Sequence, residues 1–353
     1  MKKFLTTLIC VVLATLTLVG FTACNKADPQ PDPDPDTDQT SSEPVSVYMP
    51  DGAPALAFAE MMSSDAEIGG VKFEYNVVDA SLIQTYVTGK NPAADVCVLP
   101  VNLACKLLGT GENYKMLGTV THGNLYILKK ANGEEITLNN LNSLKGKTVG
   151  VVSLAAIPGL TFKLILNDNN VEYNELGNGG AKDSDKVNLI AVDAESGVIP
   201  SNETCDYFVV AEPAATTKVN ATKGALSFAG DLQSLYGEKG GYPQAVLVAK
   251  NSLIESKPAL VTALKASLTS NAAWLLNEST TAETIVSAVT SHLTEGMSPK
   301  FTANNLNKQV IEHCAIKFVG SADCKDEVKT FINKLIAVQA SASVAPADTF
   351  FYV

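Results

Sequence analysis

The sequence predicts an α/β protein of two lobes, each built on a mostly parallel sheet flanked by helices. The chain from residue 45 to residue 353 is globular in composition, and that length normally divides into two lobes or domains. Within it, short β-branched runs alternate with helix-like segments, which is typical of parallel sheets. A last strand followed only by helices indicates that the chain returns to the lobe in which it began. Two crossings between the lobes would form a hinge.

The first lobe opens with an alternating β-branched strand at residues 45–49. A turn, Pro50-Asp51-Gly52-Ala53-Pro54, follows, and Pro54 suits the first turn of the helix that the apolar stretch 55–62 predicts. Asn102 is placed to cap a helix that stops at Gly109. The other predicted elements are strands at 71–78, 95–99, 114–120 and 125–128, and a short helix with capping-box spacing at 81–89.

The second lobe is predicted to begin at residue 129. A strand at 148–152 leads through the turn 153–159 into a helix at 160–167, and strands follow at 187–192 and 206–210. After residue 241 the sequence predicts a strand at 245–249 and helices at 258–276, 281–293, 304–313 and 323–340. Lobe 1 is thus assigned residues 45–128 and 242–353, and lobe 2 residues 129–241.

The N-terminus has the pattern of an export signal. Lys2 and Lys3 precede an apolar run at residues 4–21, which is followed by small residues and Cys24. Four threonines dilute this run, whereas a membrane-spanning helix needs about 20 apolar residues. Residues 1–23 are therefore predicted to be a signal peptide. An ordinary secretory signal and a single transmembrane helix are the alternatives.

Residues 24–44, which begin at Cys24, are predicted to be a disordered tether. After Cys24 the segment is almost pure Pro, Asp, Ser, Thr and Gln, so it cannot bury a core. Proline and like charges keep such a chain extended, and it would span roughly 50–60 Å. The segment is typical of a spacer between a membrane and a folded domain.

The composition limits the partners that the protein can have. Its net charge of −11 disfavours nucleic acid. All 26 basic residues are lysine, so no guanidinium is present to hold a phosphate, sulfonate or carboxylate at two points. The three histidines are scattered and no CxxC motif occurs, so neither a metal site nor a cofactor is predicted.

Five cysteines remain beyond Cys24, and an odd number cannot all pair within one chain. Cys314 and Cys324 could close a short loop, worth about 3 kcal/mol if oxidised. Buried free thiols fit the sequence equally well.

Three sequence blocks carry a resemblance to a known family. They are Met49-Pro-Asp-Gly-Ala-Pro-Ala-Leu-Ala57 with Asp95-Val-Cys-Val-Leu-Pro-Val-Asn102, then Leu144-Lys-Gly-Lys-Thr-Val-Gly-Val-Val152, and Asp206-Tyr-Phe-Val-Val-Ala-Glu-Pro213. In kind and order they resemble the periplasmic-binding-protein-like type II substrate-binding proteins of ABC importers, in particular the nitrate/sulfonate/taurine and thiamine-precursor branch. The likeness covers residues 45–340. The sequence Phe21-Thr-Ala-Cys24 resembles the lipobox of bacterial lipoproteins, in which the cysteine is acylated and becomes the mature N-terminus.

This resemblance implies a clamshell whose lobes close on a small ligand held by loops at the strand ends. Ligands of open α/β sheets do bind at the carboxyl ends of strands, where helix N-termini present free N–H groups. The candidate ligand-binding residues are Asp51, Gly52, Ala53, Val101, Asn102, Asn124, Ser153, Ala155, Ala156, Glu212 and Tyr242.

Each of these residues also has a purely structural interpretation. The turn residues are equally typical of plain tight turns. Glu212 could face a ligand amine or complement the dipole at the start of a helix. Tyr242 could stack on a ligand or pack at the hinge. Asn124 is favoured over His122 as a polar contact, and Trp274 is predicted to lie in the core.

The resemblance implies a non-enzymatic lipoprotein on the extracytoplasmic face of the cell membrane that captures a solute and delivers it to an ABC permease. The absent arginine and the acidic charge argue against inorganic anions, so an amine-bearing, heterocyclic or zwitterionic solute is expected. A ligand-sensing or adhesion lipoprotein on the same fold is one alternative. An enzyme similar to the thiamine-pyrimidine synthases is another, although the sequence offers no Ser-His-Asp, Cys-His or metal cluster for it.

Overall fold

The computed structural model describes residues 43–177, 180–193, 196–237 and 241–353. The predicted signal peptide, Cys24 and most of the tether lie outside these described residues. The strands are β1 (Val45–Pro50), β2 (Phe73–Val78), β3 (Val96–Pro100), β4 (Tyr114–Thr121), β5 (Leu125–Lys130), β6 (Thr148–Val152), β7 (Tyr173–Glu175), β8 (Val187–Val192), β9 (Tyr207–Ala211), β10 (Leu226–Asp231), β11 (Ala245–Lys250) and β12 (Ile316–Gly320).

The helices surround these strands. They are α1 (Ala53–Leu56), α2 (Ala59–Ser64), α3 (Val101–Leu108), α4 (Ile157–Asp168), α5 (Ala214–Ala221), α6 (Leu232–Tyr236), α7 (Asn251–Ser256), α8 (Pro258–Leu276), α9 (Ala282–Thr290), α10 (Lys308–His313) and α11 (Ser321–Val338). Short 3₁₀ helices occupy Ile83–Tyr86, Leu138–Leu144 and Asp348–Phe350. Among the described helices, none combines the length and the apolar content that crossing a membrane requires.

The strands form two six-stranded sheets, and each sheet is the centre of one lobe. In lobe 1 the order is β12-β4-β11-β3-β1-β2, and β1 runs parallel to both β2 and β3. In lobe 2 the order is β10-β5-β9-β6-β8-β7, where β6 runs parallel to β8 and β9. Strands β5 and β11 are antiparallel to their neighbours. The predicted fold class, two lobes with mostly parallel sheets, is confirmed.

The chain crosses between the lobes twice, after β4 and before β11. The predicted boundary at residue 128 is too late, because β5 already pairs with β9 and β10 in the sheet of lobe 2. The first crossing therefore falls at residues 122–124. Strand β11 then returns to lobe 1 between β3 and β4.

Alternating side chains cover both faces of the lobe 1 sheet. Val246 and Val248 of β11 belong to one buried apolar cluster, whereas Leu247 and Ala249 belong to another. Neighbouring residues of a strand point to opposite faces, so the two clusters lie on opposite sides of the sheet. The first cluster also contains Val149 and other apolar residues of lobe 2, so it joins the two lobes.

The sequence did not predict three of the strands, namely β7, β10 and β12. The predicted helix at 304–313 is also shortened to α10, because the Asn307 side chain accepts a hydrogen bond from the Val310 N–H at 2.9 Å and so starts the helix there. Strand β12 has only five residues, and its pairing with β4 determines that it is a strand.

Of the two possibilities for Cys314 and Cys324, a disulfide or buried free thiols, the structure shows the second. Cys314 packs in the cluster on one face of the lobe 1 sheet, and Cys324 packs in the cluster on the other. The two side chains are therefore separated by the sheet. The remaining thiols, those of Cys97, Cys105 and Cys205, are free and buried as well.

Candidate ligand-binding cleft

The carboxyl ends of the parallel strands of the two lobes define a candidate cleft. In lobe 1 the strands are β1, β2 and β3, and in lobe 2 they are β6, β8 and β9. Helices α1, α3, α4 and α5 start directly beyond β1, β3, β6 and β9. The topology therefore brings the N-termini of four helices to the strand ends that define the cleft, which is the usual ligand position in such sheets.

The two lobes touch beside the start of α5. A Cβ placed on Gly52 would lie 3.9 Å from Cδ of Pro213. Asn305 donates a hydrogen bond from Nδ2 to Oγ1 of Thr217 at 3.1 Å. One side of the cleft is therefore closed by direct contact between the loops of lobe 1 and helix α5 of lobe 2.

At the end of β1, the Asp51 carboxylate organises its own loop. Its Oδ1 accepts from the Gly52 N–H at 2.7 Å, and its Oδ2 accepts from the Lys300 N–H at 2.8 Å. Burial raises the pKa of this carboxyl group, and the two backbone hydrogen bonds oppose the rise. Gly52 adopts φ of +102°, which an L side chain rarely does, and Ala53 is buried in α1. These three predicted residues hold the turn together.

At the end of β3, the predicted residues Val101 and Asn102 form hydrogen bonds with other segments of lobe 1. The Val101 N–H donates to the Gln244 carbonyl at 3.0 Å. Asn102 donates from Nδ2 to the Ala342 carbonyl at 3.1 Å, and its own carbonyl accepts from the Ser343 hydroxyl at 2.9 Å. Asn102 thus fastens the C-terminal segment along α3.

Asn124 lies at the first crossing, and its polar groups form hydrogen bonds within the hinge. Its N–H donates to Oε1 of Gln244 at 3.0 Å, and its Oδ1 accepts from Nε2 of Gln244 at 2.5 Å. Its Nδ2 donates to the Glu212 carbonyl at 2.8 Å, and the Glu212 N–H donates back to the Asn124 carbonyl at 2.8 Å. This hydrogen-bond network connects both crossings with the end of β9. Gln244 is not among the predicted site residues, although its place just before β11 marks the second crossing.

The beginning of α4 is the most open of the predicted positions. Ser153 and Ala155 are exposed at the end of β6, and Ser153 adopts φ of +59°. Ala156 precedes the helix, and no side chain caps it. The first-turn N–H groups of a helix lack intrahelical partners, so this end offers hydrogen-bond donors to an anionic or carbonyl oxygen.

Glu212 is buried at the start of α5 and satisfied by its own helix. Its Oε2 accepts from the Thr216 N–H at 2.9 Å, and its Oε1 accepts from the Thr216 hydroxyl at 2.6 Å. These contacts are those of a carboxylate that complements the start of a helix. The other nearby group is His313 of lobe 1, whose Nδ1 lies 3.6 Å from Oε1.

Tyr242 is fully buried and packs between the lobes. Its ring stacks on Phe331 with centroids 5.5 Å apart, and it meets the edge of Tyr236 at 5.5 Å. Burial raises the pKa of its phenol well above the ordinary value. The structure therefore gives Tyr242 the role of a hinge-packing aromatic.

Three exposed charged residues near the strand ends were missed by the sequence analysis. Asp79 follows β2, Asp193 follows β8, and Lys300 lies beside Asp51. Hydrogen bonds from Ser81 lower the pKa of Asp79, so this carboxyl group is ionised at neutral pH. The signal that could have found both aspartates is their position directly after a buried strand. Within the described ranges, no cluster of His, Cys, Asp and Glu could hold a metal ion.

Two of the cavities in the described part of the chain lie away from this cleft. One, of about 460 Å³, is lined by residues of α8, α10 and β12. The other, of about 560 Å³, is lined by Lys130, Lys147 and Tyr207 in lobe 2. Neither is lined by a predicted ligand-binding residue.

No family model and no curated protein matches this chain, but solved structures do. An ABC transporter from Parabacteroides distasonis gives a TM-score of 0.66 at 18% identity, covering 88% of this chain and 99% of that one. The periplasmic aliphatic sulphonate binding protein SsuA from Escherichia coli gives 0.61 at 12% identity, covering 89% and 93%. The zinc-bound ligand binding component of an ABC-type import system from Staphylococcus aureus gives 0.55 at 13% identity, covering 87% and 96%.

These similarities establish the fold. The chain shares its two-lobed α/β fold with these solved structures, which include a periplasmic sulphonate binding protein and a ligand binding component of an ABC-type import system. The resemblance inferred from the three sequence blocks is confirmed at this level.

Proposed function

We propose that this protein is the solute-binding component of an ABC importer, which captures a small metabolite between its lobes and delivers it to a permease chemically unchanged. One observation carries the proposal. Two chain crossings join the two lobes, and the strand ends of both lobes define one candidate cleft. The same fold occurs in an ABC transporter structure and in the ligand binding component of an ABC-type import system. Ligand binding between two lobes favours the closed state because both lobes contribute contacts.

We propose an amine-bearing, heterocyclic or zwitterionic solute. The chain has no arginine, and its exposed strand-end carboxylates include Asp79 and Asp193. An acidic field attracts cations and repels anions. A carboxylate on a zwitterionic solute would bind at the open start of α4, where backbone N–H groups are available.

Native mass spectrometry of freshly purified protein tests the proposal directly, because a closed cleft retains its solute. The expected result is a non-covalent adduct that is released on denaturation and carries an amine or a heterocycle. Calorimetry with the released compound should then show saturable binding. Binding of no small molecule, either from this extract or from a panel of amines and zwitterions, would refute the solute-binding role.

The two aspartates provide the test of charge preference. We expect the double variant Asp79→Asn/Asp193→Asn to bind the solute about tenfold more weakly, since a charge-assisted contact is lost. Glu255→Gln is the matched control, because Glu255 is exposed on α7, which follows the antiparallel strand β11 at the opposite end of the lobe 1 sheet. Full affinity in the double variant, or tight binding of sulfate or nitrate, would overturn the proposed ligand class.

We further propose that Cys24 carries lipid and anchors the protein on the extracytoplasmic face of the membrane. The proposal is supported by the apolar run, the small residue before Cys24 and the extended segment after it. Cells grown with an alkyne analogue of palmitate should label the protein, and Cys24→Ala should abolish the labelling. Equal labelling of the variant and the wild type would disprove lipidation at this cysteine.

A further inference from the structure

A cavity of about 460 Å³ lies beside β12, outside the cleft. Helices α8 and α10 and strand β12 contribute its apolar lining, which includes Leu275, Leu276, Ile311 and Val319. Leu276 is 40% exposed, so part of this lining is open to solvent. Small-molecule sites are cavities of about 300–1,000 Å³ with mostly apolar walls and a few polar groups. The cavity beside β12 has the size and the apolar lining of such a site.

The lining also includes His122, whose ring has one nitrogen without a partner. Nε2 of His122 lies 3.1 Å from the Lys317 carbonyl oxygen and 3.0 Å from the Thr119 hydroxyl. A carbonyl oxygen only accepts hydrogen bonds, so the ring proton is on Nε2. Burial lowers the pKa of His122 to about 4, so the ring is neutral at neutral pH and Nδ1 is an acceptor. Nδ1 forms no hydrogen bond with any described residue.

Three charged residues line the same cavity. Glu312 and Glu327 are carboxylates, and Lys317 is an ammonium. Glu312 and Lys317 are exposed, whereas Glu327 is half-buried on α11. Two negative charges and one positive charge leave the lining with a net negative charge, in a chain whose own net charge is −11. Coulombic attraction therefore favours a cationic ligand over an anionic ligand of the same shape.

Strand β12 is poorly suited to pairing with a further strand. In the described part of the chain it is the outermost strand of the lobe 1 sheet. It has only five residues, its pairing with β4 shifts register between Ile316 and Val319, and it carries Lys317. A short strand, an irregular register and an edge lysine all hinder pairing with another chain. The cavity therefore suits a compact molecule better than an extended peptide.

We propose that this cavity is a second binding site, separate from the cleft, for a small primary amine with an apolar body. The ammonium donates a hydrogen bond to Nδ1 of His122, and Glu312 adds an attracting charge. The apolar body packs against Leu275, Leu276 and Ile311. A hydrogen bond from a charged donor is stronger than one between neutral groups, so the amine determines the preference of the site. The inference does not depend on the proposed function, because no predicted ligand-binding residue lines the cavity.

Nuclear magnetic resonance of the three imidazoles tests the site with 2-phenylethylamine as the probe, and single His→Gln variants assign the signals. At neutral pH the His122 signal should shift saturably, with a dissociation constant of about 1 mM. The His292 signal should stay constant, because His292 packs on Tyr75 elsewhere in lobe 1. The anion 3-phenylpropanoate has a similar apolar body and should bind at least about tenfold more weakly. No saturable shift of the His122 signal, or equal binding of the two probes, would overturn the proposal.

Variants on the cavity lining test its position and its charge. Ala272 lines the cavity from α8, whereas the neighbouring Ala273 is exposed and does not line it. Ala272→Phe should weaken the binding of 2-phenylethylamine by about tenfold or more, and the matched control Ala273→Phe should bind it like the wild type. An unchanged His292 signal verifies that each variant is folded. Glu312→Lys should reverse the preference between the two probes. Full binding by Ala272→Phe, or an unchanged preference in Glu312→Lys, would refute the site.

Discussion

Asn124 and Gln244 exchange two hydrogen bonds where the chain crosses between the lobes. The Asn124 N–H donates to Oε1 of Gln244, and Nε2 of Gln244 donates to Oδ1 of Asn124. Asn124 is 3% exposed, so water cannot replace these partners easily. This pair of amides sets the geometry of the hinge.

We expect Gln244→Ala to lower the free energy of unfolding by about 1–3 kcal/mol, because it leaves buried polar groups of Asn124 unpaired. Urea denaturation followed by circular dichroism measures this change. Asn142→Ala, at an exposed position of a 3₁₀ helix, is the control and should change the same quantity by less than about 0.5 kcal/mol. Equal stability of the two variants would contradict the role of the amide pair.

His122 makes the stability of the fold depend on pH. Its Nε2 lies 3.0 Å from the Thr119 hydroxyl and 3.1 Å from the Lys317 carbonyl, and burial lowers its pKa to about 4. The unfolded chain takes up this proton below about pH 6.5, but the folded chain does so only near pH 4. The stabilising effect of a neutral His122 is therefore lost as the pH falls through this window.

The melting temperature should consequently fall between pH 6.5 and pH 4.5, and it should fall less steeply in His122→Gln. Glutamine keeps a side-chain donor for the Lys317 carbonyl but takes up no proton in this range. Melting curves at half-unit pH steps measure the slope. Identical slopes for the variant and the wild type would show that His122 does not cause the loss.

At the scale of elements, α11 connects the cores of the two lobes. Its buried face includes Val328, Phe331 and Leu335, which belong to the apolar cluster shared by both lobes. Phe331 stacks on Tyr242 and meets the edge of Tyr236 at 5.9 Å with an interplanar angle of 86°. One helix therefore packs against the lobe 1 sheet and against α4 of lobe 2.

Phe331→Ala should destabilise the protein by about 3–5 kcal/mol, since it removes a fully buried aromatic ring and leaves a cavity. Denaturant unfolding provides the measurement. Asn333→Ala, on the exposed face of the same helix, should change the free energy of unfolding by less than about 0.5 kcal/mol. A small effect of Phe331→Ala would mean that the packing between the lobes contributes little.

At the scale of the whole molecule, the described residues form one compact unit around two sheets. Lobes that move independently usually share a small and polar interface. Here, a buried apolar cluster continues from the lobe 1 sheet through α11 to the lobe 2 sheet. The lobes are therefore coupled through their core.

This coupling predicts a single cooperative unfolding transition for the solute-free protein. Far-ultraviolet and near-ultraviolet circular dichroism should give the same midpoint in urea, as a two-state process requires. Phe331→Ala should be the variant in which the two curves begin to separate. Two resolved transitions in the wild-type protein would contradict a shared core.

The sequence by itself determined the fold class and most of the strands. The alternation of β-branched and helix-like segments is a local property, because strand and helix periods depend on neighbouring residues. Predicted strands such as 45–49 and 148–152 therefore agree with β1 and β6 within one residue. The positions of the turns at the strand ends followed from the same pattern, and the prediction of a ligand-binding cleft depends on these turns.

The tertiary structure alone decided what the side chains at these turns do. Asn124 and Gln244 are 120 residues apart in sequence, and the partner of Glu212 in lobe 1 is His313. Such pairs depend on how two lobes assemble, which no local pattern encodes. For the same reason β12 became a strand through its pairing with β4, and Cys314 and Cys324 stayed apart on opposite faces of a sheet. Long-range packing thus assigned the residues at the predicted turns to the hinge and to the helix ends.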